Sequence, residues 1–317
     1  MKKILVVQYS QTGQLSKIVD SLCRPLIASR DIEVVIETLR PEKPYPYPWS
    51  FFKFLDVFPE CVALDPPALS PLTVGGSEEF DLIIIAYQVW FLAPSPPITA
   101  FMQSEQARRL LKDRPVITLI GCRNMWSRAQ ETMKQMLNDT GARLIDNVVL
   151  TDQGSWFASF VTTPRWLLSG KKEPFWGFPA AGVSDRDIEN CHRFGLAIEE
   201  ALKHDRERGA APLLYGLKAV EADISQVQSE KAGHRSFLVW GRLLRLVGKQ
   251  GDRKRLPVLA VYVVFLILMI ITLVPLSVVL KSLLAPLLKE RHLKAKTHYE
   301  APSGSGAERM EVFGCGK

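Results

Sequence analysis

Five cysteines and five histidines are all that this chain of 317 residues offers a transition metal. The cysteines, at positions 23, 61, 122, 191 and 315, form no CxxC and no Cys/His cluster. That spacing argues against structural zinc, suits a reducing compartment and leaves no metal site to expect. GxxxxGK[ST] is absent, which excludes a Walker-type nucleotide site, and GxGxxG is absent, which excludes a typical dinucleotide fingerprint. The first apolar run ends in Gln8, not in an acidic pair, so a receiver-type phospho-acceptor site is not expected. Lys2 and Lys3 precede only four apolar residues, Ile4 to Val7, which is too little for a secretory signal. The soluble part is therefore expected on the cytoplasmic side of an inner membrane.

Charge of either sign is missing from Leu256 to Leu280. A run of that length suffices to cross a hydrocarbon core of about 30 Å at about 1.5 Å per residue. The residues around it are basic. The first 230 residues carry 25 Lys+Arg against 28 Asp+Glu, whereas the remainder carries 15 against 5. So local an excess points to a membrane surface or a polyanion, not to a basic fold, and the apolar run decides for the membrane, with no nucleic-acid partner expected. Just before the apolar run, Phe237, Leu238, Trp240, Leu243, Leu244 and Val247 are expected to share a face against Arg242, Arg245 and Lys249, as in an interfacial amphipathic helix. Lys281, Lys289, Arg291, Lys294 and Lys296 follow the run, so charge does not fix its orientation. Pro275 and Pro286 leave both a transmembrane and a bent, re-entrant segment open.

Up to about residue 207, apolar strand-like runs alternate with helical periodicity. Strands are expected at Lys3–Gln8, Ile32–Leu39, Asp81–Tyr87, Pro115–Ile120 and Arg143–Thr151, and helices at Gln14–Ile27, Pro97–Leu111, Ser127–Asp139 and Asp185–Arg208. Alternation implies βαβ units, and the apolar run DLIIIAY implies a strand buried on both faces. The expected fold class is α/β, a doubly wound five-stranded parallel sheet followed by an amphipathic helix and the membrane segment. The expected divisions are a sheet domain over 1–208, a helical and basic juxtamembrane stretch over 209–255, the membrane segment over 256–288 and a tail over 289–317. Two insertions rich in Pro and aromatics, 40–71 and 155–182, are too long for ordinary connections.

In such a sheet, ligands bind at the carboxyl ends of the strands. The stretch YSQTGQLS, residues 9–16, lies at that end of the first strand and opens the first helix. Helix-terminal N–H groups favour an anion, Gly13 permits close approach, and Ser10 and Thr12 add hydroxyls. With no Lys or Arg between Ser10 and Ser16, the design suits a phosphate monoester held by hydroxyls and amides.

SQTGQL resembles the FMN-phosphate loop of flavodoxins, [ST]-x-T-G-x-T. Ser10, Thr12 and Gly13 match, and Leu15 departs where a Thr is usual. The resemblance implies FMN, with Ser10, Gln11, Thr12, Gly13, Gln14 and Leu15 around its phosphate. It implies an isoalloxazine ring between two further loops. One is YQVWFLAPSPPITAF, with Gln88, Val89, Trp90 and Phe91 at the ring. The other is GCRNMWSRAQ, with Gly121, Cys122 and Arg123 at its edge. Arg123 and Asn124 are the candidate catalytic groups, and Arg123 with Arg128 is expected to make the third loop positive, favouring two-electron chemistry. ILVVQYSQTGQL, PYPYPWSFF, FPECVALDPP, AYQVWFLAPSPP and LIGCRNMW together resemble a narrower group of bacterial flavodoxin-like proteins associated with dialkylresorcinol biosynthesis. That resemblance implies aromatisation of a hydrophobic dialkylcyclohexanedione supplied by a ketosynthase or acyl-carrier partner. Two alternatives stand beside it: a membrane-tethered NAD(P)H:quinone or FMN reductase or electron carrier, and a non-catalytic tethered scaffold that has lost its flavin.

Overall fold

A computed structural model describes residues 1–284 and 289–313 of the chain. Pro286 and Cys315 lie outside the described residues. Five parallel strands run in the order β2-β1-β3-β5-β6, comprising β1 (Lys2–Gln8), β2 (Ile32–Thr38), β3 (Leu82–Trp90), β5 (Pro115–Cys122) and β6 (Arg143–Thr151). A sixth strand was not expected. It is β4 (Ala93–Pro94), two residues long, antiparallel to the end of β3. The parallel order is that of flavodoxin-like doubly wound domains.

Burial follows the apolar runs. Ile4 to Val7 on β1 and Leu82 to Tyr87 on β3 are fully buried at every position, so both faces of the sheet are covered. Helix α1 (Gln14–Ala28) lies against α8 (Asp185–Glu189) and α9 (His192–Leu202). Gly195 allows the α1–α9 approach, since a Cβ there would strike the Leu22 carbonyl and Pro25. On the other side α4 (Pro96–Gln103), α5 (Glu105–Leu111) and α6 (Ser127–Asp139) form a second group. The expected helix Pro97–Leu111 is two helices because the Ser104 hydroxyl accepts the Ala107 N–H at 3.0 Å and starts a new cap. The expected helix Asp185–Arg208 is likewise divided, between Glu189 and His192, and ends in a 3₁₀ turn at Arg206–Arg208. Ser184 caps its start, its hydroxyl accepting the Asp187 N–H at 3.0 Å.

Both insertions contain helix. The first holds α2 (Phe51–Leu55) and α3 (Phe58–Val62), and the second holds α7 (Trp156–Ser169), which ends on Gly170 in the left-handed region. Residues 213–220 enter the main core through Leu213, Leu214, Leu217, Ala219 and Val220. Helix α10 (Ile224–Val247) then docks on α3 and α6. Its Phe237, Trp240 and Leu244 turn inward against Phe58, Val62 and the next helix, while Val239, Leu243 and Leu246 are exposed. The apolar residues expected on one face are thus divided between an inner and an outer face. Helix α11 (Arg255–Leu284) runs through the apolar segment as one helix, and α12 (Lys289–Glu300) follows. By length and composition α11 is a membrane-span candidate.

The chain after α12 returns to the sheet. Ser303 Oγ donates to Asp146 Oδ1 at 2.7 Å and accepts the Asn147 N–H at 2.7 Å, both on β6. Glu300 accepts the Ala222 N–H, and Arg309 donates to the carbonyls of Leu213 and Tyr215. Asp146 also accepts the N–H groups of Leu213 and Leu214. The outer edge of β6 is therefore covered by 213–220 and the tail, which removes an unpaired sheet edge.

Candidate cofactor site

The loop after β1 has the makings of an anion cradle. Gly13 sits at the helix N-cap with φ +78°, and space around it is open. No side chain caps α1 and no acid occupies its first turn, so its leading N–H groups point outward unopposed. Ser10 Oγ and Thr12 Oγ1 are sealed from solvent and lack any hydrogen-bond partner among the described residues. Buried hydroxyls left unpaired cost free energy, so their convergence on one helix terminus marks a place for an acceptor.

The second insertion covers this loop. Gln14 uses its whole amide on Val183, accepting the N–H at 3.0 Å and donating to the carbonyl at 3.2 Å. Gly182, at φ +86°, has no room for a Cβ: one would lie 2.7 Å from the Gln14 amide and 2.9 Å from Trp166. Asp152 pins the same segment by accepting the N–H groups of Gly154 at 2.7 Å and Gly182 at 2.6 Å. On α7, Ser159, Thr162, Thr163 and Trp166 share one side at helical spacing. Ser159 accepts the Arg123 Nε–H at 2.7 Å, and Trp166 abuts Gly182. Between them, Thr162 and Thr163 carry hydroxyls that are also buried and unpartnered among the described residues. Four such hydroxyls thus belong to the loop after β1 and to α7.

The other expected site residues are distributed as follows. Gln11 anchors the loop: its N–H donates to Gln88 Oε1 at 3.1 Å, and its side chain donates to the Pro46 carbonyl at 2.8 Å and accepts the Tyr9 hydroxyl. The Leu15 side chain is core, and with Ile18 it lies where a Cβ on Gly121 would come within 3.2 Å. Gly121 thus lies in close contact with the α1 side chains. Val89 pairs with Pro94 in the β3–β4 hairpin. Its two-residue turn, Phe91 and Leu92, has φ of 48° and 64°, the mirror-image geometry usually given to Asn-Gly. Trp90 enters an aromatic box with Tyr9, Tyr45 and Trp49, at centroid distances of 6.1, 5.2 and 5.8 Å. Phe91 turns the opposite way, toward Phe54, Phe58 and Phe237.

Electrostatics near the third loop are paired. The Arg123 guanidinium lies 3.9 Å from the Phe160 ring centre, and burial lowers its pKa to about 10, still cationic at neutral pH. The nearby Asp152 carboxylate opposes it. Glu230 of α10 is buried and accepts the Ser127 hydroxyl and the Arg128 N–H. The expected positive third loop is therefore matched by two carboxylates, and the charge argument for two-electron chemistry lapses. Burial pushes the Cys122 thiol up, away from the reactive thiolate. Asn124 Oδ1 is buried without a partner among the described residues.

Sequence reasoning missed α7 and α10 as parts of this region. The hydroxyl spacing 159–162–163 and the polar positions Glu230 and His234 on an otherwise apolar helix face were the available signals. His234 Nδ1 is buried and unpartnered among the described residues, and burial with the adjacent Arg128 lowers its pKa. Among the described residues no group of acidic, Cys or His side chains is placed to hold a metal.

No model of a known protein family matches this sequence, and no curated protein matches it. Similar solved structures include a flavoprotein in complex with FMN from Lactobacillus acidophilus, at 18% identity and TM-score 0.38, covering 47% of this chain and 93% of that one. An archaeal flavodoxin covers 64% of this chain and 100% of its own at 13% identity and TM-score 0.35. A flavone reductase covers 84% and 98% at 14% identity and TM-score 0.32. At these scores and identities no function passes from them to this chain, and the fold is taken from the strand order above.

Proposed function

We propose that this chain is a membrane-attached FMN-dependent oxidoreductase acting on an apolar ring compound. The observation that carries the cofactor is that the hydroxyls of Ser10 and Thr12, at the uncapped N-terminus of α1, lack partners among the described residues. A phosphate monoester satisfies both hydroxyls and the leading N–H groups together, without needing a Lys or Arg. Those orphaned groups also favour retention of flavin over the scaffold alternative. Bound FMN would supply a two-electron acceptor for a dehydrogenation.

The chain's own residues hold and shield the site. Ser10 and Thr12 would orient the phosphate, and α7 with the Gly182 segment would exclude water from it. Trp90, Tyr9, Tyr45 and Trp49 make an apolar, rigid wall for flat rings. The arrangement of aromatics supports an apolar substrate. From Trp49 the rings pass to Phe54 at 5.7 Å, Phe91 at 4.9 Å, Phe58 at 5.8 Å and Tyr262 of α11 at 4.7 Å. A continuous aromatic connection thus joins the box to the apolar helix. A dialkylcyclohexanedione, handed on by a ketosynthase or acyl-carrier partner and aromatised by loss of two hydrogens, fits that approach.

The test is the visible spectrum of the purified full chain, with the released cofactor identified by chromatography. A flavin co-eluting with FMN is expected. A colourless protein that also fails to take up added FMN overturns the cofactor. For the substrate, the FMN-loaded protein is given a dialkylcyclohexanedione under air and with an added quinone. Formation of the resorcinol supports the reading, and unchanged dione removes it. Rapid bleaching by NAD(P)H with no dione turnover moves the assignment to the reductase alternative.

A further inference from the structure

Helix α11 is tied to the folded domain before its apolar run and after it. At its start, the fully buried Arg255 donates to Glu60 at 2.8 Å, to Asp56 at 3.2 Å and to the Leu244 carbonyl at 3.1 Å. Over its first three turns, Leu259 and Tyr262 are buried against α3 and α10. After its end, α12 leads straight into the tail on β6. His298 lies 3.5 Å from Glu131 of α6, Tyr299 is buried in the main core, and Ser303 is fixed on Asp146. Both attachments belong to one domain.

These attachments limit how deep α11 can go. Six of the twelve residues of α12 are charged, so α12 does not enter hydrocarbon. Lys289 therefore stays at the surface on which the domain sits. Five residue steps separate Leu284 from Lys289 and span at most about 17 Å. That is near half of a hydrocarbon core of about 30 Å. The far end of a helix about 45 Å long, lying within that distance of the entry surface, cannot emerge on the other side.

The exposed surface matches a leaflet. On α11, Leu256, Val261, Val264, Ile267, Leu268 and Ile271 are exposed on the side away from the domain. The outer face of α10 adds Val239, Leu243 and Leu246, and α2 adds Phe51 and Phe52. Exposed cations flank this apolar area at Arg242, Arg245, Lys249, Arg253 and Lys254. Apolar stripes rimmed by cations bind an anionic lipid surface through burial and through headgroup charge.

We infer that the α10–α11 hairpin is a monotopic membrane contact: α11 lies within the one leaflet facing the domain and does not cross the bilayer. This rests on the membrane attachment proposed above and specifies its geometry. The test uses the full chain in two assays. Flotation with vesicles of phosphatidylcholine and phosphatidylglycerol reads attachment. C-terminal fusions to green fluorescent protein and to alkaline phosphatase, made in a bacterial host, read the side on which the tail lies. Flotation with a fluorescent first fusion and an inactive phosphatase is expected. Flotation with an active phosphatase overturns the monotopic geometry and leaves the membrane reading standing. Failure to float overturns both. The V264D/I271D variant changes exposed positions only. Its vesicle-bound fraction should fall about tenfold or more with FMN content unchanged. Flotation equal to the parent would remove α11's outer face as the lipid contact.

Discussion

Glu230 accepts the Ser127 hydroxyl at 2.7 Å, and with the Arg128 N–H at 2.8 Å it holds the start of α6 from a helix 102 residues further along the chain. A carboxylate at a helix N-terminus satisfies leading N–H groups and opposes the positive end of the dipole. Glu230→Ala should therefore lower stability by about 1–3 kcal/mol, the cost of stranding two buried donors. Thermal unfolding of the FMN-loaded protein reads it. Glu230→Gln, which keeps an acceptor, should lose less.

Thr12→Val removes one of the two hydroxyls of the loop after β1 that lack a partner among the described residues, and leaves the shape. A hydrogen bond to a charged phosphate contributes about 1.5–3 kcal/mol, so the Kd for FMN should rise by about tenfold or more. Riboflavin has no phosphate, and its affinity should not change. Equal losses for both ligands would mean that Thr12 is not at the phosphate.

Gly182→Ala places a Cβ against Gln14 and Trp166 in a backbone conformation that disfavours a side chain. The segment over the loop after β1 should lift. FMN should leave faster, and protease should cut nearer residues 170–183 than in the parent. An unchanged dissociation rate would show that the segment is not the cover.

Asp146 sits between the tail and residues 213–214, and burial raises its pKa from 3.8 to about 6. The folded state therefore holds this proton more tightly than the unfolded one. The associated stability is fully present below 3.8 and is lost as pH rises through about 6. Protection of the Lys218 and Val220 amides, whose N–H groups bond the tail, taken relative to the intrinsic base-catalysed exchange rate at each pH, should fall over that interval and level off above it. Asp146→Asn should flatten the profile.

The regular parts of this fold were legible in the sequence. The bounds Ser127–Asp139 and Arg143–Thr151 agree with α6 and β6 because an amphipathic period in one, and short apolar runs on either side of Asp146 and Asn147 in the other, leave little choice. The strand–helix junction that carries Ser10, Thr12 and Gly13 was legible for the same local reason, since an apolar run gives way there to an amphipathic period. Long-range partners were not. Nothing near Phe91 indicates that it faces α10, and nothing near Arg123 indicates Ser159 or Asp152. Helices α2 and α3 are five residues each, too short for any period to be counted. The route of the tail back to Asp146 has no local signal, because a serine and a glycine-rich turn suit many surfaces.

The two-point attachment of α11 has a kinetic consequence. An enzyme hung from one free helix swivels about it, and its mouth samples every angle to the surface. A helix held by Arg255 before it and by Tyr299 beyond it offers no such pivot. The aromatic box would then keep a constant height and heading above the lipid plane. A ring substrate dissolved in that plane would find it by lateral search in two dimensions, where encounter depends on surface density and not on aqueous solubility.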